Sequence, residues 1–128
     1  MKVCIAGGGR VGRYLAQSLL ANHHSVVIIE PVEAQCRMLA DQLDIPVICG
    51  DSINMDTLRS ADAASCDAFV AVTGSDEDNL IACQIATREF GVDRTVAPAS
   101  RSSGERNCWM PVTARRGTTR RTGKAMPA

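Results

Sequence analysis

Gly7, Gly9 and Gly12 stand at Gly-x-Gly-x-x-Gly spacing within Gly7-Gly8-Gly9-Arg10-Val11-Gly12, directly after the apolar run 2–6. That spacing serves phosphate binding where a strand feeds a helix. The first glycine permits a tight turn, the second lets a pyrophosphate approach bare backbone, and the third lets helix and strand pack closely. Free N–H groups and the positive dipole end of the following helix favour an anion there by about 0.3–2 kcal/mol. Arg10, inside the loop, can reach a phosphate oxygen or simply stand in solvent. An acid, Glu30, closes the second apolar run, where a carboxylate accepts the ribose hydroxyls of an adenosine. A 2′-phosphate about 4 Å from that acid would be repelled by on the order of 4 kcal/mol at an effective dielectric of about 20, so NADP is disfavoured.

The elements that must position these groups are legible as apolar runs alternating with helix-period segments. Runs at 2–6, 26–29, 47–49, 68–73 and 95–97 are rich in Val, Ile and Ala and nearly continuous, as strands covered on both faces are. Helices are expected over 11–21, 32–43, 55–60 and 76–90, the last opened by a Ser75-x-x-Asp78 capping-box spacing. Right-handed crossovers turn this alternation into an α/β, doubly wound, Rossmann-like parallel sheet with strand order 3-2-1-4-5. Its crevice opens at the carboxyl ends of strands 1 and 4. The turn Thr73-Gly74-Ser75 then faces the glycine loop, and Gly50-Asp51-Ser52 lies on the adenine side. An ordinary helix-start turn at Thr73 and an Asx turn at Asp51 account for the same residues without a ligand.

Composition removes several classes. The chain has 128 residues, room for one domain, and is 45% apolar, enough for a core. No apolar run approaches the roughly 20 residues of a membrane span, and the run after Lys2 is too short for a secretory leader, so a cytoplasmic place is expected. The six cysteines lack the Cys-x-x-Cys or Cys/His clustering of a metal site and read as small core hydrophobes, with Cys49 the one to watch for redox sensitivity. Asp76, Glu77 and Asp78 suit the start of a helix better than a metal. His23 and His24 read as a solvated turn. No catalytic residue and no metal ligand is expected. The zero net charge hides an asymmetry: up to Arg94 there are seven Lys and Arg against thirteen Asp and Glu, and from Thr95 onward seven against one.

The loop Gly7 to Gly12, the acid Glu30, the pair Gly50-Asp51 and above all Val72-Thr73-Gly74-Ser75-Asp76-Glu77-Asp78-Asn79-Leu80 resemble the TrkA-N, or RCK, nucleotide-binding domain. The resemblance covers residues 1 to about 97. It implies a cytoplasmic regulatory domain that senses NAD(H), or ATP and ADP, and controls potassium transport through a membrane channel or transporter subunit. It also implies homo-oligomeric assembly in the intact family form and a place at the inner membrane held only through that partner. By motif position, Gly7, Gly8, Gly9, Arg10 and Val11 would line the phosphates, with Gly12 completing the loop. Glu30 would hold the ribose, Asp51 and Ser52 the adenosine side, and Thr73 and Gly74 the far side of the crevice.

The division expected is a nucleotide-binding domain over 1–97 and an irregular basic tail over 98–128, where the sequence leaves the family pattern. That departure puts a sixth strand in doubt, leaves the fifth strand as an open edge, and suggests a truncated gene or a shifted reading frame. Two other functions compete. A small NAD-dependent oxidoreductase, or a fragment of one, could use the same loop. The chain, however, offers no Tyr-x-x-x-Lys pair, since Ser18 stands four residues after Tyr14, and little room for a substrate domain. The arginines of the basic tail could hold nucleic acid only in a nonspecific, salt-sensitive way, and the sparse aromatics give no stacking platform.

Overall fold

The computed structural model describes residues 1–99 and 108–111. Five parallel strands appear in the expected order. They are β1 (Lys2–Ala6), β2 (Ser25–Glu30), β3 (Val47–Cys49), β4 (Ala68–Ala71) and β5 (Arg94–Ala99), arranged β3-β2-β1-β4-β5. The crossovers are α1 (Arg10–Ala21), α2 (Glu33–Gln42), α3 (Met55–Ser60) with a short 3-10 turn at Ala63–Ser65, and α4 (Asp76–Phe90).

Both faces of the sheet are covered, and the period-2 alternation of each strand divides its side chains between them. Val3, Ile5, Val26 and Ile28 pack with Ala16 of α1 and Leu39 of α2 on one face. Cys4, Ala6, Val27, Ile29, Phe69 and Ala71 pack with Leu58 of α3 and with Ala82, Cys83 and Ala86 of α4 on the other. Full burial of an Ile, Leu or Phe contributes about 1.5–3 kcal/mol. Ile5, Ile28, Ile29, Leu39, Leu58 and Phe69 are all essentially inaccessible, so these residues hold the helices to the sheet.

One element departs from expectation. Cys108–Pro111 forms β6, antiparallel to β5, with Val96 opposite Pro111 and Ala99 opposite Cys108. Along this stretch the outer edge of β5 is therefore paired instead of open. Its sequence hides the strand because Pro98 and Pro111 each remove a ladder N–H and break the pattern by which strands are recognised. The remaining basic residues expected as a tail lie outside the described residues.

Candidate nucleotide-binding site

The site is built at the carboxyl ends of four adjacent strands. β1 lies between β2 and β4, so the loop leaving it has Glu30 on one side and Thr73 on the other. Gly7 adopts φ 121°, and a Cβ there would lie 2.7 Å from the Val72 carbonyl oxygen. Only glycine turns the chain this close to β4. Gly12 meets the opposite side of the same turn: its Cβ would fall 1.9 Å from the Gly7 carbonyl oxygen. Gly9 is different, with nothing within 4 Å of the position a Cβ would take. The space the second glycine should leave for a ligand is therefore open.

Gly9 is also the N-cap of α1, and no side chain caps that helix or places an acid in its first turn. Arg10 and Val11 are exposed at its start. Among the described residues no side-chain oxygen caps the orphan N–H groups at this dipole end, a condition under which such groups can hold an anion.

Glu30 is buried, 6% exposed, and its carboxylate is anchored at both oxygens. The Gly8 amide donates to Oε1 at 2.7 Å and the Val32 amide to Oε2 at 2.9 Å. Sequence assigns this acid to a ribose; the structure adds that it also fixes the middle of the glycine loop. A carboxylate offers about four acceptor positions, so two remain for hydroxyl donors. Gly8 is constrained in turn, since a Cβ there would lie 2.4 Å from Leu39 Cδ1 and 3.1 Å from Glu30 Oε1.

On the β4 side, Thr73 sits in a network that sequence did not assign. Asn79, 1% exposed, accepts from the Thr73 amide at 2.8 Å and from the Thr73 hydroxyl at 2.6 Å, both at Oδ1. Its Nδ2 donates to the Thr73 carbonyl at 3.3 Å. An asparagine deep in the first turns of α4 thus fixes the turn facing the loop. Its place in the Thr-Gly-Ser-Asp-Glu-Asp-Asn run was the available signal. The expected capping box forms by half: Ser75 Oγ accepts the Asp78 amide at 3.2 Å, while the Ser75 amide donates to Thr73 Oγ1 instead of to Asp78. Gly74 is exposed, with open space where a Cβ would be.

Beyond β2, Asp51 is exposed and accepts the Ile53 amide at 3.2 Å, the Asx turn that needs no ligand. Ser52 is buried. Gly50 donates to the Glu30 carbonyl at 3.0 Å, so this segment abuts Glu30. Asp76, Glu77 and Asp78 lie in the first turn of α4, and among the described residues no group of three or more His, Cys, Asp or Glu is arranged to hold a metal. A cavity of about 470 Å³ lies elsewhere, at the amino ends of the strands, lined by Lys2, His24, Ser25, Asp44 and Asp62 among others; no candidate site residue borders it.

The parallel sheet in the order β3-β2-β1-β4-β5, with helices on both faces, defines a Rossmann-like domain. Residues 3–108 match the family model described as the TrkA-N domain, and the chain belongs to that family. It is 43% identical over 105 residues to a Trk system potassium uptake protein TrkA homolog of Methanothermobacter thermautotrophicus, covering 82% of this chain and 48% of that protein. The chain thus spans about half the length of this relative. Among solved structures, the TrkA-N domain of the inner membrane protein ybaL from Escherichia coli superposes with a TM-score of 0.69 at 19% identity, covering 75% of this chain and 70% of that one. A GsuK channel bound to NAD gives 0.66 at 23% identity, covering 75% and 17%. The fold is shared more widely: yeast methylglyoxal/isovaleraldehyde reductase Gre2 complexed with NADPH gives 0.61 at 12% identity, covering 76% and 37%.

Proposed function

We propose that the domain binds NAD(H), with ATP or ADP as competing ligands, and that occupancy regulates a potassium channel or transporter through a membrane partner. The observation that carries the binding half is the open space at Gly9, bounded by an uncapped α1 terminus and by the anchored carboxylate of Glu30. In this reading the pyrophosphate lies against the loop on the Gly9–Val11 amides with Arg10 alongside, and Glu30, which holds the Gly8 amide, takes the ribose hydroxyls. Asp51 and Ser52 border the adenosine, and Thr73 and Gly74 border the far half of the ligand. The regulatory half is supported by the family and by the potassium uptake relative. It carries with it a cytoplasmic location and assembly as a homo-oligomer. No helix among the described residues is long and apolar enough to cross a membrane, which suits a domain reaching the bilayer only through a partner.

Thermal melting of the chain with NADH, NADPH, ATP and ADP tests binding. A ligand at 100 times its dissociation constant stabilises by about 2.7 kcal/mol. NADH should raise the midpoint clearly and NADPH less, because its 2′-phosphate faces Glu30. Glu30→Gln keeps an oxygen for Gly8 while removing the negative charge, so it should lower the NADH shift and narrow the gap to NADPH. Absence of a shift with every nucleotide would remove the binding proposal. Steady oxidation of NADH with candidate carbonyl compounds would favour the oxidoreductase reading instead. The regulatory half is tested separately by potassium flux through a reconstituted uptake subunit, with and without the domain and NADH.

A further inference from the structure

Of the cysteines, expected as small core hydrophobes with Cys49 the one open to redox chemistry, four stand in two groups. Cys4 of β1 and Cys66, before β4, are both buried in the same apolar cluster. The second pair lies at the surface beside the ribose acid. Cys36, buried on the inner side of α2, has its Sγ 3.1 Å from the Glu30 carbonyl oxygen. Cys49, the exposed last residue of β3, has its Sγ 4.0 Å from the Pro31 carbonyl oxygen. These carbonyls belong to consecutive residues, and the strand register sets Cys49 beside Glu30. Val47 packs on the face of the sheet that α2 covers, and Cys49, two residues along β3, faces the same side, so both thiols border the Glu30-Pro31 stretch from the α2 side.

We propose that Cys36 and Cys49 form a redox-active dithiol, a modification site for low-molecular-weight disulfides, which closes to an intrachain disulfide and weakens nucleotide binding. The order of attack follows from access. Cys49, exposed, loses its proton and its thiolate attacks one sulfur of the small disulfide. The S–S bond of the reagent breaks, and one thiolate leaves and takes up a proton. Cys36 then loses its proton and attacks Cys49 Sγ. The mixed disulfide breaks, and the second small thiol leaves protonated. The reagent is reduced to two thiols as the protein loses two electrons and two protons. Cys36 is the poor first nucleophile, because burial and then its contact with Cys49 push its thiol up to about 12. Cys4 and Cys66 have the proximity without the access.

The effect on binding rests on the nucleotide reading above. Oxidation removes the S–H that Cys36 directs at the Glu30 carbonyl and draws α2 toward the end of β3. The Val32 amide that holds Glu30 Oε2 immediately precedes that helix, so the shift reaches the ribose acid.

The test treats the reduced full-length chain with hydroxyethyl disulfide and follows intact mass, peptide maps and NADH calorimetry. Wild type should lose the mass of two hydrogens, link the peptides holding Cys36 and Cys49, and retain no reagent. Cys36→Ser, which keeps a donor for Glu30, should hold one reagent group on Cys49, whereas Cys49→Ser should remain unmodified at Cys36. NADH affinity should fall about tenfold on oxidation, recover with dithiothreitol, and stay constant in Cys49→Ser. A lasting reagent adduct on wild-type Cys49, or linkage through other cysteines, would overturn the dithiol. Linkage with unchanged NADH affinity would overturn the coupling. If reduced wild type binds no nucleotide, the proposed function fails with the coupling, while the peptide map still decides the dithiol.

Discussion

The three glycines of one motif carry different physical duties, and substitution separates them. At Gly9 an added methyl meets nothing within 4 Å, and its backbone (φ −78°, ψ −157°) is open to any residue. Gly9→Ala should therefore melt like wild type yet lose most of its NADH-induced shift, because the methyl occupies the space left for the pyrophosphate. At Gly12 the same methyl would sit 1.9 Å from the Gly7 carbonyl oxygen, with only backbone to yield. Gly12→Ala should cost about 1–3 kcal/mol of stability in urea denaturation and impair binding as a consequence. If the two variants lose stability equally, the division of labour is wrong. Asn79 offers a third contrast. Asn79→Ala would strand the amide and carbonyl it holds on Thr73, whose hydroxyl keeps the Ser75 carbonyl as acceptor, for about 1–3 kcal/mol, visible in the same denaturation series.

At the scale of elements, the two helices facing the groove are started in opposite ways. α4 is capped by Ser75 and carries Asp76, Glu77 and Asp78 in its first turn, whereas α1 has neither cap nor acid. α2 also lacks a side-chain cap but carries Glu33 in its first turn, so α1 is the long helix with neither, which suits the proposed anion. Gly9→Asp should reverse that choice. Its carboxylate would favour the α1 dipole by about 0.3–1 kcal/mol and raise the unliganded melting temperature, while repelling nucleotide and abolishing the shift. An unliganded midpoint that falls would count against this account of α1. The parallel strands and their order were legible because strands buried on both faces must be near-continuous apolar runs, as residues 26–29 are. The turn at the glycine loop and the place of Glu30 beside it were legible because both follow from spacing along one β-α-β unit. The two amides on Glu30, the Asn79 network and the meeting of Cys36 with Cys49 were not, because each depends on the path of a loop or on the register between neighbouring strands.

At the scale of the whole molecule, the sheet ends on one side at β3, a strand of three residues, and on the other at β6. A three-residue edge presents few unpaired backbone groups, whereas β5 is twice that length and parallel to its inner neighbour. An uncovered β5 would offer N–H and C=O groups to another chain, and Val96 and Ala97 beside them are not charged gatekeepers. β6 takes up that edge by pairing with Val96, Ala97, Pro98 and Ala99. Removing it should thus uncover the β5 edge and raise association. A chain ending after Ala99 is expected to keep its cooperative melt and nucleotide shift but to self-associate with rising concentration, beyond any association of the full chain, in sedimentation velocity. Equal sedimentation of the two chains across the same concentration range would mean that Pro98 and the twist of the edge protect β5 without β6. Loss of the cooperative melt would mean that the antiparallel strand is part of the folding unit.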